Sequence, residues 1–191
     1  SCKACSSECP SNVDIASLKA EFLYQYYQSN PVDFRTQMFA DNVKWNKLGS
    51  IVPSITNLVL NTAATKKIMG IHPKRSIPAL QPVTLEKWCY NNKARLAAKK
   101  HEKGKLYLFL DEYTNFYDVS TGIDTIELLS DLGYEVLITP HDESGRSFIS
   151  KGLLDKAKEK IDKNITHFGE LITSVTPLVG QAPIAIVAFR N

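Results

Sequence analysis

The spacing of the apolar residues changes at Gly104, and this change divides the chain into two predicted parts. Between Ser11 and about Lys103, apolar residues recur at the three- and four-residue spacing of helices. After Gly104, short apolar runs alternate with helical stretches, which predicts strands joined by crossover helices in a parallel sheet. We therefore predict an α+β chain, with a helical part at residues 1–103 and a small three-layer α/β part at residues 104–191.

The first part is predicted to hold helices over residues 11–29, 32–47, 55–62, 65–69 and 84–100. Ser11 and Asp14 fit a capping box at the start of the first helix, and Thr84 is the expected N-cap of the last. The first helix should be amphipathic, because four large apolar residues fall on one of its faces: Ile15, Leu18, Phe22 and Tyr26.

The second part is predicted to hold three strands, over residues 105–113, 134–140 and 182–189. Helices at 122–133 and 147–172 should connect them, the second with a kink near Asn164. A sheet of only three strands offers little surface for packing. We therefore expect further chain to follow residue 191.

Three of the four cysteines lie within the first ten residues, in the arrangement Cys2-x2-Cys5-x3-Cys9-Pro. This matches the last three cysteines of the bacterial ferredoxin pattern C-x2-C-x2-C-x3-C-P, which holds iron–sulfur clusters. A zinc site needs four ligands and would have to reach as far as His72. A thioredoxin-like pair would normally follow a strand. The cysteines therefore favour iron–sulfur ligation in a reducing compartment, with zinc and a redox pair as alternatives, whereas Cys89 is expected to pack as an apolar side chain.

Composition excludes several classes of function. A net charge of +3 is too small to indicate nucleic-acid binding, and no apolar run approaches the roughly 20 residues of a membrane span. The basic stretch at 93–105 is interpreted as a solvated helix end or as a surface for an acidic partner. We expect a cytoplasmic protein without a secretory leader, and association with the inner face of a membrane stays open.

Polar residues follow the first two predicted strands, at residues 111–115 and 141–146. In open α/β sheets, ligands bind beyond the carboxyl ends of the strands. Residues at this edge could hold a metal, contact a partner domain or form solvated loops. The chain contains no phosphate-binding or hydrolase motif, so we expect no catalytic residue in it.

Four stretches resemble one family: CKACSSECPSNVDIASLKAEFLYQYY, GIHPKRSIPALQPVTLEKW, DEYTNFYDVSTGIDTIELLSDLGYEV and HDESGRSFISKGLLDKAK. They resemble the C-terminal iron–sulfur segment of FAD-linked oxidases of the glycolate oxidase and D-lactate dehydrogenase type. That segment is also similar to the iron–sulfur subunit of anaerobic glycerol-3-phosphate dehydrogenase. The resemblance implies a ferredoxin-type part followed by a cysteine-rich-type domain.

The resemblance implies that Cys2 and Cys5 bind one 4Fe–4S cluster and that Cys9 binds a second. FAD and the oxidation of a 2-hydroxy acid would belong to an upstream flavin domain of the same chain, and the electron acceptor is not indicated. In the family that the chain resembles, further cysteines follow the first two strands and another lies at the third, where this chain has Glu112, the Glu143-Ser144-Gly145 stretch and Ala185. The second part is therefore expected to be a scaffold without a cluster, and a carboxylate metal site at Glu112 and Glu143 is an additional hypothesis. A non-redox interaction module and a zinc-stabilised binding domain are the alternatives.

Overall fold

A computed structural model of the chain describes Pro10 and residues 13–187. Cys2, Cys5, Cys9 and Ser11 lie outside these residues. Within the described residues, the first part of the chain contains six helices: α1 (Ile15–Ser29), α2 (Phe34–Ala40), α3 (Asn42–Gly49), α4 (Pro53–Leu60), α5 (Ala63–Ile68) and α6 (Leu85–Ala97). No helix within residues 13–187 combines the length and apolar character that crossing a bilayer requires.

The second part is built around a small parallel sheet, which confirms the predicted α+β class. Its elements are β1 (Gly104–Phe109), α7 (Glu112–Phe116), α8 (Val119–Asp131), β2 (Tyr134–Leu137), α9 (Arg146–Ser150), α10 (Leu154–Gly169), β3 (Leu178–Gly180) and α11 (Pro183–Val187). The strand order is β2-β1-β3, so β1 is central and the crossover after β2 returns to its other side.

The third strand was predicted at 182–189, and this position is wrong. The strand is Leu178–Gly180, which pairs with Tyr107–Phe109, and the apolar run after it begins a short helix at Pro183. A short apolar run fits a buried strand or a buried helix equally well by pattern. Pro183 favours the helix, because a residue in the first turn of a helix needs no backbone N–H for the helical hydrogen bonds. Ala185 accordingly lies on α11 rather than on a strand and is 1% exposed.

Two predicted helices are broken in the structure. The helix predicted at 32–47 divides at Asp41, which ends α2 and precedes α3. The long helix predicted at 147–172 divides into α9 and α10 at Gly152, whose φ is +72°. At Gly152 a Cβ would lie 2.3 Å from the Leu23 Cβ and 2.9 Å from backbone atoms of α1. The break therefore permits α1 to approach closely. Helix α10 runs unbroken through Asn164, where a kink was predicted.

The last helix of the first part shares a core with the sheet. Leu85 and Cys89 of α6 pack with Leu108 of β1, with Leu110 just after it and with Ile126 of α8. Thr84 caps α6, as predicted, by accepting a hydrogen bond from the Lys87 N–H at 3.3 Å. One hydrophobic core therefore contains residues from both sides of the predicted boundary between residues 103 and 104. The division into two domains at this boundary stays a prediction from the sequence.

Helix α1 turns its predicted apolar face outward. Asp14, rather than the expected Ser11, is the N-cap, since its carboxylate accepts from the Ser17 N–H at 3.1 Å. Ala20 is the buried residue of the helix, and the Tyr24 hydroxyl donates to Asp155 at 3.1 Å. The apolar stripe is 49–69% exposed, at Ile15, Leu18, Phe22 and Tyr26.

Candidate functional site

The loops that follow β1 and β2 meet at a buried polar cluster, which we call the Glu112 cluster: Asp111, Glu112, Ser144 and Arg146. The Ser144 hydroxyl donates to Glu112 Oε1 at 2.9 Å, and Arg146 Nε donates to the same oxygen at 2.7 Å. Arg146 Nη2 also lies 3.5 Å from Asp111 Oδ1. Asp111 is 1% exposed and Ser144 fully buried, so the solvated-loop interpretation does not hold for these residues.

Asp111 shapes the first of these loops. Its carboxylate caps α7 by accepting from the Tyr113 and Thr114 N–H groups at 3.0 and 3.2 Å. The Thr114 hydroxyl donates to the second carboxylate oxygen at 2.5 Å. A buried carboxylate costs free energy unless hydrogen bonds and opposite charge compensate it. Here both are present, so the cluster fixes the two loops to each other.

Glu143 and Glu112 have different partners: Glu112 is paired with Arg146, and Glu143 is near Lys160. Its side chain is 8% exposed, and its nearest cation is Lys160 Nζ at 4.0 Å. Glu143 Oε2 is buried without a hydrogen-bond partner among the described residues. Burial raises the pKa of Glu143 to about 7, against the opposing effect of Lys160. The carboxyl group is therefore half protonated near neutral pH.

The geometry gives the carboxylate metal hypothesis no support. Within residues 13–187, no group of three or more histidine, cysteine, aspartate or glutamate side chains is placed to hold a metal ion. Glu112 already accepts hydrogen bonds from Ser144 and Arg146. A metal at Glu112 and Glu143 stays a prediction from sequence, and it would have to displace Arg146.

His141 is a fixed part of the β2 loop. The Leu110 N–H donates to His141 Nε2 at 3.1 Å, so the proton of the neutral ring is on Nδ1, which donates to the Asp142 carbonyl at 2.7 Å. The ring stacks on Phe109 with centroids 4.2 Å apart. Burial lowers the pKa of His141, which keeps the ring neutral.

Asn164 holds the same loop and was missed as a site residue by the sequence interpretation. Its amide accepts from the Asp142 N–H at 2.8 Å and donates to the Asp142 and Glu143 carbonyls at 3.1 and 3.0 Å. The side chain is 1% exposed. The available signal was a lone amide in the middle of a helix that was otherwise predicted to be amphipathic.

Two cavities flank the loops. One, of about 550 Å³, lies between α6 and β2 and is lined by Cys89, Glu112, His141 and Glu143 among others. The other, of about 930 Å³, is surrounded by α2 to α5 and reaches Glu112 and Arg146. Both are open and mostly apolar, and Glu112 lies between them.

Cys89 is unsuited to bind a metal or cluster from its position in α6. It is 8% exposed and belongs to the core shared with the sheet. Burial raises the pKa of its thiol to about 12, so the thiolate that a metal requires is strongly disfavoured. The packing role predicted for Cys89 agrees with this position. The candidate ligands are therefore Cys2, Cys5 and Cys9.

Comparison with known proteins finds relatives that are named D-2-hydroxyglutarate dehydrogenase. The chain is 23% identical to the Escherichia coli protein over 203 residues, 24% identical to the Haemophilus influenzae protein over 202, and 21% identical to the Pseudomonas putida protein over 216. Each alignment includes all of this chain and 19–20% of the relative. No family model matches the chain, and no solved structure matches it significantly. The chain thus spans about a fifth of the length of the curated relatives, which are named as oxidoreductases of a 2-hydroxy acid.

Proposed function

We propose that this chain is the iron–sulfur segment of a longer oxidoreductase that oxidises a 2-hydroxy acid. The observation that carries the proposal is the similarity of the whole chain to proteins named D-2-hydroxyglutarate dehydrogenase. The cysteine spacing at residues 2–9 supplies the chemistry, since oxidation of a hydroxy acid releases two electrons that must reach an acceptor and iron–sulfur clusters carry single electrons. D-2-hydroxyglutarate is accordingly the first substrate to test on the longer protein.

In this proposal, Cys2 and Cys5 bind one cluster and Cys9 binds a second. When bound, the clusters would accept and pass on single electrons from a flavin held elsewhere in the polypeptide. The donor set fits such a group in chemistry and spacing, but it is incomplete: three thiolates cannot fill two sites, and Cys89 is buried in the core. The remaining ligands would come from polypeptide outside residues 1–191.

The described residues would serve this relay as a scaffold. The Glu112 cluster fixes the loops after β1 and β2, and Asn164 fixes the second of them to α10. In the proposed arrangement, residues 104–191 form a cysteine-free counterpart of the cysteine-rich-type domain. They would hold position rather than carry electrons, and the ferredoxin-type residues 1–103 would carry the relay.

A cysteine substitution series tests the proposal on the full gene product, purified without oxygen. Cys5→Ser and Cys9→Ser should each lower the iron content and slow the transfer of electrons to an artificial acceptor. Flavin reduction by D-2-hydroxyglutarate should be unchanged in both. Cys89→Ala is the matched control and should keep the wild-type iron content. Equal iron in all four proteins would overturn the assignment.

A non-redox interaction module is the second candidate. The observation that favours it is the Glu112 cluster, because Glu112 and Ser144 occupy places where the family resemblance implies thiolates. A module of this kind would bind partners through its surface and would contain neither iron nor acid-labile sulfide. One zinc per chain, lost in Cys5→Ser, would instead indicate a zinc-stabilised binding domain.

A further inference from the structure

Helix α4 is amphipathic in the opposite sense to a helix packed on a protein core. Its polar residues face inward: the Thr56 hydroxyl donates to the Gly49 carbonyl at 2.9 Å, and the Asn57 amide is hydrogen-bonded to both backbone groups of Leu80, at 2.8 and 2.9 Å. No residue of α4 is buried. Polar contacts with the chain backbone, rather than apolar packing, therefore fix this helix.

Three apolar residues of α4 face outward, and the exposed apolar surface continues through the preceding turn to Leu48 at the end of α3. Ile55, Leu58 and Val59 occupy one helix face at i, i+3 and i+4 and are 61%, 73% and 50% exposed. Leu48, Ile51 and Val52 are 60%, 74% and 48% exposed. We call these six residues the α4 patch. The apolar face of a surface helix normally packs on the protein core. An apolar face turned outward is therefore the orientation expected of a helix whose apolar face another molecule or segment covers.

The patch also lacks the charges that keep exposed surfaces soluble. From Leu48 to Thr65 the sequence contains no charged residue. Soluble monomers rarely expose apolar patches of more than a few hundred Å², and larger ones mark interaction sites. The α4 patch therefore has the composition of the interior of an interface.

We propose that the α4 patch is a docking surface for another part of the same polypeptide, outside residues 1–191. The chain aligns over its whole length with relatives of which it is about a fifth, so each relative carries four-fifths more polypeptide that could cover such a surface. This inference rests on one element of the proposed function, that residues 1–191 belong to a longer oxidoreductase. It does not require the clusters.

A membrane surface suits the α4 patch less well. Helices that lie on membranes carry lysine and arginine on their polar face, among the lipid headgroups. The polar face of α4 is uncharged and is turned toward Gly49 and Leu80. A polypeptide cover needs only apolar contact and leaves the inward hydrogen bonds in place.

Site-specific labelling of the full gene product tests the proposal. Leu58→Cys and Val175→Cys place a thiol at positions that are 73% and 78% exposed in this structure. Maleimide modification is followed at each site by peptide mass spectrometry, with the urea-unfolded protein as the reference. The rate of modification at each site is divided by the rate at the same site in the unfolded protein. This ratio should be at least about tenfold lower for Leu58→Cys than for Val175→Cys. Ile55→Cys should repeat the protection if Leu58→Cys expresses poorly.

Three results would overturn the inference. Rates within about threefold of the unfolded reference at both sites would mean that the patch is open. Protection that disappears on dilution to the monomer would assign the surface to a second copy. Protection that appears only with phosphatidylglycerol vesicles would assign it to a membrane. The iron content of the same labelled protein, with Cys2, Cys5 and Cys9 intact, separates the proposals, because protection of Leu58→Cys in a protein without iron keeps the docking surface and removes the relay.

Discussion

Ser144 donates its hydroxyl hydrogen to Glu112 Oε1 at 2.9 Å, and this bond joins the loops that follow β1 and β2. Arg146 donates to the same oxygen at 2.7 Å. Glu112 is more than thirty positions from Ser144 and Arg146 in the sequence. The three side chains meet at the edge where open sheets of this kind usually bind ligands. In this chain the edge holds an ion pair between the buried Glu112 and the half-buried Arg146, which indicates a role in stability.

Arg146→Ala should lower the free energy of unfolding by about 3 kcal/mol. The change leaves the Glu112 carboxylate, whose side chain is 5% exposed, without its cation. Ser144→Ala removes the hydrogen bond to Glu112 and the longer one that the hydroxyl accepts from the Arg146 N–H at 3.4 Å, and should cost about 1–2 kcal/mol. Urea unfolding followed by far-ultraviolet circular dichroism measures both.

Lys163→Ala is the control for the Arg146 prediction. It breaks an exposed pair with Glu159 on one helix face and should cost less than about 0.5 kcal/mol. If Arg146→Ala proved as mild as Lys163→Ala, the Glu112 cluster would have no stabilising role.

Glu143→Gln should make the chain less sensitive to pH. Burial raises the pKa of Glu143 to about 7 in the folded chain, from an ordinary 4.5. Between these values the folded state holds a proton that the unfolded state releases, so the free energy of unfolding falls as pH rises from about 4.5 through 7. A shift of this size corresponds to a loss of about 3 kcal/mol, complete by pH 8.

The measurement is the difference in free energy of unfolding between Glu143→Gln and the wild type, at pH 5 and pH 8. The effects of His141 and of titrating groups distant from Glu143 largely cancel in this difference. The free energy of unfolding of the variant, minus that of the wild type, should be larger at pH 8 than at pH 5. Parallel pH profiles would mean that Glu143 is solvated or paired.

Cys89 should not react with iodoacetamide in the folded chain at pH 8. Burial raises the pKa of its thiol to about 12, and the reactive thiolate is therefore scarce as well as covered. Peptide mass spectrometry should find it modified only after unfolding in urea. Rapid modification of the native chain would contradict the packing of α6 against the sheet.

Gly152→Ala should destabilise the chain by more than about 2 kcal/mol and loosen α1. The new Cβ would lie 2.3 Å from Leu23 in a left-handed backbone conformation, and the neighbouring α1 backbone cannot yield easily. Hydrogen exchange of α1 amides should accelerate in this variant.

Gly169→Ala is the matched control for Gly152→Ala. Gly169 ends α10 with nothing within 4 Å of its Cβ position, so alanine there should be neutral or stabilise by up to about 1 kcal/mol. Equal effects of the two substitutions would show that α1 does not pack closely at Gly152.

The sequence predicted the parallel sheet and the meeting of its two loops, because strand periodicity and crossover handedness are local rules. It did not predict the partners of Glu112, which depend on rotamers and on Arg146 following a left-handed glycine. The third strand was misplaced because an apolar run of eight residues has no decisive period, and the helix that forms there begins at Pro183.

The outward orientation of α1 and α4 could not have been read from their patterns. Hydrophobic periodicity identifies an apolar face, but it does not say which molecule covers that face. Phe22 and Leu58 follow helical spacing as core residues do, yet they are 69% and 73% exposed. In the docking proposal, the cover of the α4 patch is polypeptide outside residues 1–191.

The most direct test of the iron–sulfur proposal is the iron and acid-labile sulfide content of the full gene product, purified without oxygen, with its flavin measured alongside. We predict about eight irons and eight sulfides per chain, as two 4Fe–4S clusters require, with one flavin. Less than one iron per chain, with or without zinc, would contradict the relay and favour the non-redox interaction module.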